Sequence, residues 1–596
     1  MDVAAFPLLL SLIAGPIADP IGGSGGVADG DAKKPSIGER VGACEFVDAR
    51  FARHSLDEFS GRPALVLYFT ALDCPLAPRY LPRLCELARA TQDRRVQFLA
   101  IDVGANDSVV EIAAAALDHE VAFPFVRDFG FSTATACGAT RAGEVVVVDG
   151  ERRLRYRGRV DDQYRVGGER PATTRADLAL ALEELLAGKE VSVAETTAEG
   201  CLLSPPPKPR EDVTWARDVA PILARHCVEC HREQGDAPFA LADWNDAADL
   251  AAMIGEVVEL GRMPPWRASG AHGRFSNVRG LTADERRTLI DWTLTGARAG
   301  DLSLAPPAPA PPAGKWRIGE PDLVLATPTE MELPADGIVP YQYTVLPFVF
   351  PADTWVEAVE IQARNRRAMH HCNLAHLKLG EEFRTENFIT GQVPGGDPMV
   401  LDPGTAVLIP GGSLLALQIH YVTTGKEETD RIEVALRFPR TLVQKRLRHL
   451  ECADFRFAIP PGAPSHPVRA SRTFDVDAIG IGMYAHMHKR GADMRFTAIA
   501  AGGKETLLLI PSYDFDWQAS YRWFPDAQRF ARGTRIECLA HFDNSTFNPW
   551  NPDPGATVRF GLQTEQEMMY GFLFYVDANE QLALAVDPRS GRARSK

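Results

Sequence analysis

The sequence predicts a multidomain chain in which an α/β unit comes first, a small helical unit second and a long strand-rich segment last. Three observations carry that reading. At 596 residues the chain is about four times a typical single domain. Two proline-rich stretches, 204–210 (SPPPKPR) and 305–314 (APPAPAPPAG), interrupt the hydrophobic patterning, because proline removes a backbone donor and favours extended spacers. The periodicity also changes across them: strand-helix alternation, then helical spacing, then alternating strands.

Composition excludes several classes. Hydrophobic residues make up 45% and charged residues 24%, which is globular and not disordered, collagen-like or coiled-coil. A net charge of -15 argues against a nucleic-acid partner, whose recognition needs surplus Lys and Arg. Ten cysteines are too few for a disulfide scaffold at this length, so each is read from its neighbourhood. The apolar run 3–15 (VAAFPLLLSLIAG) is shorter than the ~20 residues a spanning helix requires. It resembles the apolar part of a signal peptide, although Asp2 stands where a basic residue is usual. Residues 1–35 are therefore expected to be a leader and linker on an exported, periplasmic protein with no stable membrane span.

In the first unit, 36–203, residues 64–70 read as a buried strand, followed by Cys74-Pro75 and an amphipathic helix to Leu87. Strands at 96–103 and 123–127 bracket a helix at 108–118, a hairpin spans 144–160 and a helix closes the unit at 175–186. The stretch FTALDCPLAPRY resembles the redoxin branch of the thioredoxin-like fold. Cys74 stands at a helix N-terminus, where unpaired N–H groups stabilise a thiolate, and is the candidate redox thiol. Ala77 replaces the second cysteine of a CxxC pair, and Ala142-Gly143-Glu144 replaces a cis-proline loop. Cys85, Cys137 and Cys201 are the candidate resolving partners, with Cys85 also readable as a small buried hydrophobe. These departures favour a structural or docking role for the unit over thiol catalysis.

In the second unit, 213–301, Cys227-Val-Glu-Cys230-His231 is the CxxCH signature of covalent haem c. Two thiols take the vinyl groups and the histidine ligates iron. The preceding segment 215–226 reads as a helix with Val219, Ile222 and Leu223 on one face. Met263, held between Arg262 and Pro264-Pro265, is the candidate sixth ligand, and a thioether there suits electron transfer. Thr282 and Glu285 form a capping box for a helix over 283–297. The unit resembles the small, all-α cytochrome c domains of multidomain bacterial proteins. No second Cys or His pair lies close enough in sequence to complete a zinc site, and His272 reads as an exposed loop residue.

After the linker 302–315, the last segment holds nine of the 14 histidines. His370 and His371 are adjacent and would face opposite ways on a regular strand, so binding one ion requires a bend or the use of different ring nitrogens. His420 lies in the strand-like LALQIHYV, while His486 and His488 at i, i+2 share a face. Three imidazoles suit copper or zinc; two imidazoles and a thioether select copper, because soft sulfur stabilises Cu(I). The set AMHHCNLAHL, LALQIHYV, AHMHKRG and QTEQEMMYGF resembles the type II copper, ascorbate-dependent monooxygenases of the peptidylglycine α-hydroxylating and dopamine β-monooxygenase group.

That resemblance implies two all-β, jelly-roll-like copper domains, 316–445 and 446–590, with the division near 440–448. It implies an electron-transfer copper at His370, His371 and His420, and an O2-activating copper at His486, His488 and Met568. Met568 is chosen over Met569 because it directly follows Glu567. His376, His449, His466 and His541 have no role in the resemblance, although His376 and His541 lie nearest the ligand strands. Met569, Tyr570, Gly571 and Phe572 depart from the residues that grip a peptide carboxylate, and Cys372, Cys452 and Cys538 are left open to pairing. The expected cofactors are two copper ions and one covalent haem c. The expected partners are O2, an organic substrate and an external electron donor, ascorbate-like or from a respiratory chain. The alternatives are a haem/copper electron relay or redox sensor without oxygenation, and a thiol oxidoreductase centred on Cys74.

Overall fold

The computed structural model describes residues 34–594 apart from 129, 234, 236, 308 and 310–313. The leader-like run and nearly all of the first linker lie outside the described residues, as does the middle of the second proline-rich stretch. Among the described residues, no helix is long and apolar enough to cross a membrane.

Every residue of the strand Ala64–Thr70 is buried. A strand apolar on both faces needs cover on both, and this one lies inside a seven-stranded sheet. It runs parallel to Gln97–Asp102 and antiparallel to Val145–Asp149. Alternation divides its side chains: Val66 and Tyr68 pack with Leu84 and Leu178 on one face, while Leu65, Leu67 and Phe69 pack with Phe46 and Leu154 on the other. The helix Val109–Asp118 starts at Ser108, which exchanges hydrogen bonds with Glu111. The unit is a thioredoxin-like α/β domain. The short strands Glu45–Val47 and Arg53–Ser55 and the helix Ser132–Cys137 were not expected. Three residues carry too little alternation to read, and the helix begins after Phe131 at φ +62° with no capping side chain.

The second unit is helical. Its first turn, Trp215–Val219, is π-wound and continues as the helix Ala220–His226, with Val219, Ile222 and Leu223 buried. The helices Trp244–Asp249 and Ala251–Glu259 follow. Thr282 and Glu285 cap the last helix reciprocally. It ends at Leu294, not at Ala297 as expected, because Gly296 and Ala297 take positive φ and reverse the chain.

The remaining chain forms two antiparallel β-sandwiches with separate cores. In the first, a sheet containing Ala358–Ala363 and Ile432–Arg437 faces one containing Met369–Lys378 and Ser413–Tyr421. In the second, a sheet containing Ala478–His486 and Tyr570–Asp577 faces one containing Gly491–Ala500 and Arg535–Phe542. The chain end returns to the first sandwich, where Val586 packs with Trp355 and Val443 and Trp355 N–H donates to Gly591 O at 2.7 Å. The helical unit sends its loop after Met263 onto the second sandwich: Ala268 and Phe275 enter that core, and Ser276 N–H donates to Arg522 O at 2.8 Å.

Candidate metal centre

His371 and His420 face each other on neighbouring strands, and the pairing register shifts between Met369 and His371. A bulge there adds one residue and turns its side chain, so adjacent His370 and His371 reach the same place. The ligand nitrogens of His370, His371 and His420 lie within 4.8 Å of one another. The other nitrogens are tied back: His370 Nε2 to Asp516 Oδ1 at 2.9 Å and His371 Nε2 to the Tyr341 hydroxyl at 3.0 Å. The two Nδ1 atoms face each other at 3.0 Å, and His420 Nδ1 is buried without a hydrogen-bond partner. The backbone bends, one of the two arrangements the adjacent histidines required, and the Nδ1 atoms of both rings turn toward each other.

His486 ends its strand and His488 follows it, their ring centroids 5.2 Å apart and near-perpendicular. Here the Nδ1 atoms are occupied. His486 Nδ1 meets Gln518 Oε1 at 2.7 Å, and His488 Nδ1 meets Gln566 O at 3.1 Å. His488 Nε2 is buried and has no partner. Glu567, fully buried, accepts from the N–H groups of His488 at 2.8 Å and Arg490 at 2.7 Å, fixing the segment beside Met568. Met569 lies in the sandwich core, whereas Met568 sits on the other side with Ala453, Tyr570 and Phe572.

Burial holds the His371, His420, His486 and His488 rings neutral, since a charged imidazole loses hydration there. It pushes His420 down to about 3, His488 to about 3 and His486 to about 4, and His371 well below the imidazole range. Orphaned, neutral ring nitrogens converging in a buried site fit a metal of imidazole preference.

The two sets adjoin: the His371 and His486 centroids are 6.1 Å apart, and Phe515 contacts His370, His371, His420 and His488. One loop therefore serves both, since Phe515, Asp516 and Gln518 belong to it. The helical unit anchors that loop through buried Arg267, whose guanidinium donates to Asp514 Oδ2 at 2.8 Å. Sequence reasoning missed Tyr341, Asp516 and Gln518, which come from distant segments. Glu567 was visible in its motif, but its partners are backbone groups that no pattern reveals. Away from the centre, His541 Nδ1 meets Asp493 Oδ1 at 2.8 Å. His376 and His449 line a separate cleft between the sandwiches.

In the helical unit, Cys227, Cys230 and His231 lie on one tight turn, with Cys230 and His231 N–H groups donating to Cys227 O. The His231 ring packs on Phe239 at 4.7 Å, and its Nδ1 is buried and unpaired. Two thiols beside an orphaned imidazole fit a covalent haem. Met263 is half-buried and bonded through its N–H to Val257 O; its described contacts do not reach His231. His272 is not a free loop residue, because it meets Asp118 Oδ2 at 3.1 Å. Cys74 lies buried after the strand Ala64–Thr70.

Residues 37–157 match the model of the AhpC/TSA family. A hypothetical protein from Sinorhizobium meliloti of known structure is similar at 28% identity, over 29% of this chain and 95% of its own, with a TM-score of 0.27. The peroxidoxin BcpB of Mycobacterium tuberculosis is similar at 17% identity, over 26% and 95%, with a TM-score of 0.20. The thioredoxin domain of a thiol-disulfide oxidoreductase from Bacteroides vulgatus is similar at 14% identity, over 25% and 98%, with a TM-score of 0.21. No curated protein matches the chain. The N-terminal unit is thus a redoxin domain of the AhpC/TSA kind, within a larger multidomain chain.

Proposed function

We propose that this protein is an exported copper monooxygenase that hydroxylates a C–H bond of an organic substrate with O2. Five buried imidazoles converging from two sandwiches, with orphaned nitrogens His420 Nδ1 and His488 Nε2, are the observation that carries the reading. His370, His371 and His420 would hold one copper, and His486, His488 and Met568 the other; copper bound there supplies electron transfer and O2 activation. Cys227, Cys230 and His231 would carry haem c, with Met263 as the expected second axial ligand and an ascorbate-like or respiratory donor outside.

The chain's own groups prepare this site. Burial keeps the lone pairs of His371, His420, His486 and His488 free of protons near neutral pH. Gln518, held by the Tyr484 hydroxyl at 3.0 Å, fixes the tautomer and tilt of His486, and Asp516 does the same for His370. Phe515 packs an apolar ring against four of the five imidazoles. From His486 an aromatic row, Tyr570, Phe572 and Phe574, runs along one strand, with Phe388 of the first sandwich stacked on Phe572. Such a wall offers π faces instead of a carboxylate grip, which suits an aromatic or small apolar substrate and not a glycine-extended peptide. The loop following Met263 reaches the copper side through Arg267 and Asp514.

Purified full-length protein assayed for metal content and for 18O2 incorporation tests the proposal. The expected result is two coppers and one haem per chain, with labelled hydroxyl in an aromatic-bearing product. Oxygen uptake without label in any organic product would move the assignment to a haem/copper relay.

A further inference from the structure

After the helix Asp177–Leu186 the chain returns along the redoxin and ends in a strap at 198–203. The strap docks on the loop 140–143, next to the place where the sequence departs from a cis-proline loop. Ala142 N–H donates to Cys201 O at 2.9 Å and Leu203 N–H to Thr140 O at 2.9 Å, around an antiparallel bridge between Arg141 and Leu202. The Arg141 guanidinium donates to Gly200 O at 2.8 Å. Glycines permit the approach on both sides: a Cβ on Gly200, at φ +151°, would stand 1.8 Å from Ala142 O, and one on Gly143 2.8 Å from Glu199 O. The strap is therefore seated by design of the backbone and not by a loose contact.

The docked strap brings Cys201 to the Cys74 side of the sheet: Ala142 packs in one cluster with Cys74 and Leu203 packs against it, while Gly143 N–H donates to Phe69 O at 2.8 Å, on the strand that leads to Cys74. Burial pushes the Cys74 thiol up, yet the neighbouring Cys201 and the Ala77 and Leu76 N–H groups draw it below the ordinary range. The Cys201 thiol, beside Cys74, is held up. Cys74 is 1% exposed, whereas Cys201 is the exposed cysteine of the chain's described residues. Two further thiol pairs, Cys44 with Cys137 and Cys452 with Cys538, are fully enclosed and have no such opening.

We propose that Cys74 and Cys201 form a redox-active dithiol, with the strap as a built-in occupant of the redoxin's own binding edge and small-molecule disulfides as the exchange partners. Exposed Cys201 passes its proton to the Cys74 thiolate and, as a thiolate, attacks one sulfur of the external disulfide, RS–SR; the S–S bond breaks, a mixed disulfide forms and RS⁻ leaves, taking that proton from Cys74. The Cys74 thiolate then attacks Cys201 Sγ, and the second RS⁻ departs and takes a proton from water. Two cysteine sulfurs lose two electrons, and RS–SR is reduced to two RSH. This site does not depend on whether the sandwiches bind copper.

Oxidised glutathione added to the reduced full-length protein, followed by acid quench, alkylation and peptide mass spectrometry, tests the pair. The wild type should release two glutathiones per chain and yield a Cys74–Cys201 crosslinked peptide. Cys74→Ser should stop after one, with glutathione retained on Cys201, and Cys201→Ser should release none at this site. Because Cys201 is exposed, its variant tests exchange without disturbing the core. A wild type that stops at glutathionylated Cys201 with Cys74 alkylated, or a Cys74 crosslink to Cys85 or Cys137, overturns the proposal.

Discussion

The two histidine sets meet at one loop but are built differently. His370, His371 and His420 sit on two hydrogen-bonded strands of one sheet, brought together by a single bulge, and they present Nδ1. His486 and His488 sit at and beyond a strand end, and their Nδ1 atoms are held by Gln518 and Gln566, leaving Nε2. The first set is organised by its own sheet. The second is organised by loop side-chain and carbonyl contacts beyond its strand end, so its geometry rests on loops and is the easier to loosen. Because the sets expose opposite ring nitrogens, a substitution at one should not be repaired by the other.

The largest expected effect tests that independence. His420→Ala and His488→Ala should each remove one of two bound coppers, keep the other and reduce hydroxylation below detection. Copper per chain and product formation measure this. Loss of both ions from either variant would mean that the sets form one site and would end the comparison.

Next comes the methionine. Met568→Leu should keep thermal stability and the first set's copper but lose hydroxylation. Met569→Leu should retain activity and cost no more than about 1.5 kcal/mol, as expected for a volume-conserving core change. Thermal unfolding and product assays on both variants separate them, and a reversed pattern would move the ligand to Met569.

How much of this was readable in the sequence follows the same division. The strand Ala64–Thr70 and the Ser108 and Thr282 caps were legible because local pattern determines them. The histidines were legible as motifs, but the bulge at His370 was visible only as a requirement, since nothing in AMHHCN says which way the backbone yields. Asp516 and Gln518 were not legible at all. They lie 146 and 32 residues from the rings they hold, and their short polar loop carries no period. The return of the chain end to Trp355 was hidden for the same reason, as were the helices Trp244–Asp249 and Ala251–Glu259, split by Leu250 as a non-helical cap.

Those missed residues give a graded test of the comparison. Gln518→Leu should weaken copper at the second set by about 10- to 100-fold and leave the first unchanged, as loss of a ring-orienting partner does. Asp516→Asn should act on the first set and more weakly, because an amide oxygen still accepts from His370. Copper titrations on each variant read the two affinities. Equal weakening of both sets by Gln518→Leu would show that the loop, and not the individual hydrogen bond, controls the geometry.

The smallest effect comes from the redoxin side. The turn 48–52 touches the second sandwich, with Arg50 donating to Asp543 Oδ2 at 3.3 Å, and the helical unit's loop, with Phe51 lying under Arg267 at 4.5 Å. His54 braces this turn. Its hydrogen bond to Asp48 raises it to about 9, opposed by burial and aided by Glu58. A raised histidine stabilises the folded state in its charged form, so the contribution is complete below the ordinary value of 6.5 and disappears as pH rises through about 9. With the pair half-exposed, solvent screening reduces its worth to roughly 1 kcal/mol. Thermal unfolding of the wild type should therefore show a stability decline between pH 6.5 and 9 that His54→Gln lacks. If the turn also steadies Arg267 and its Asp514 partner, copper affinity should drift over the same window at His486 and His488 but not at the first set. Parallel pH curves for wild type and His54→Gln would release the turn from that role and leave the second set's dependence to its own loop.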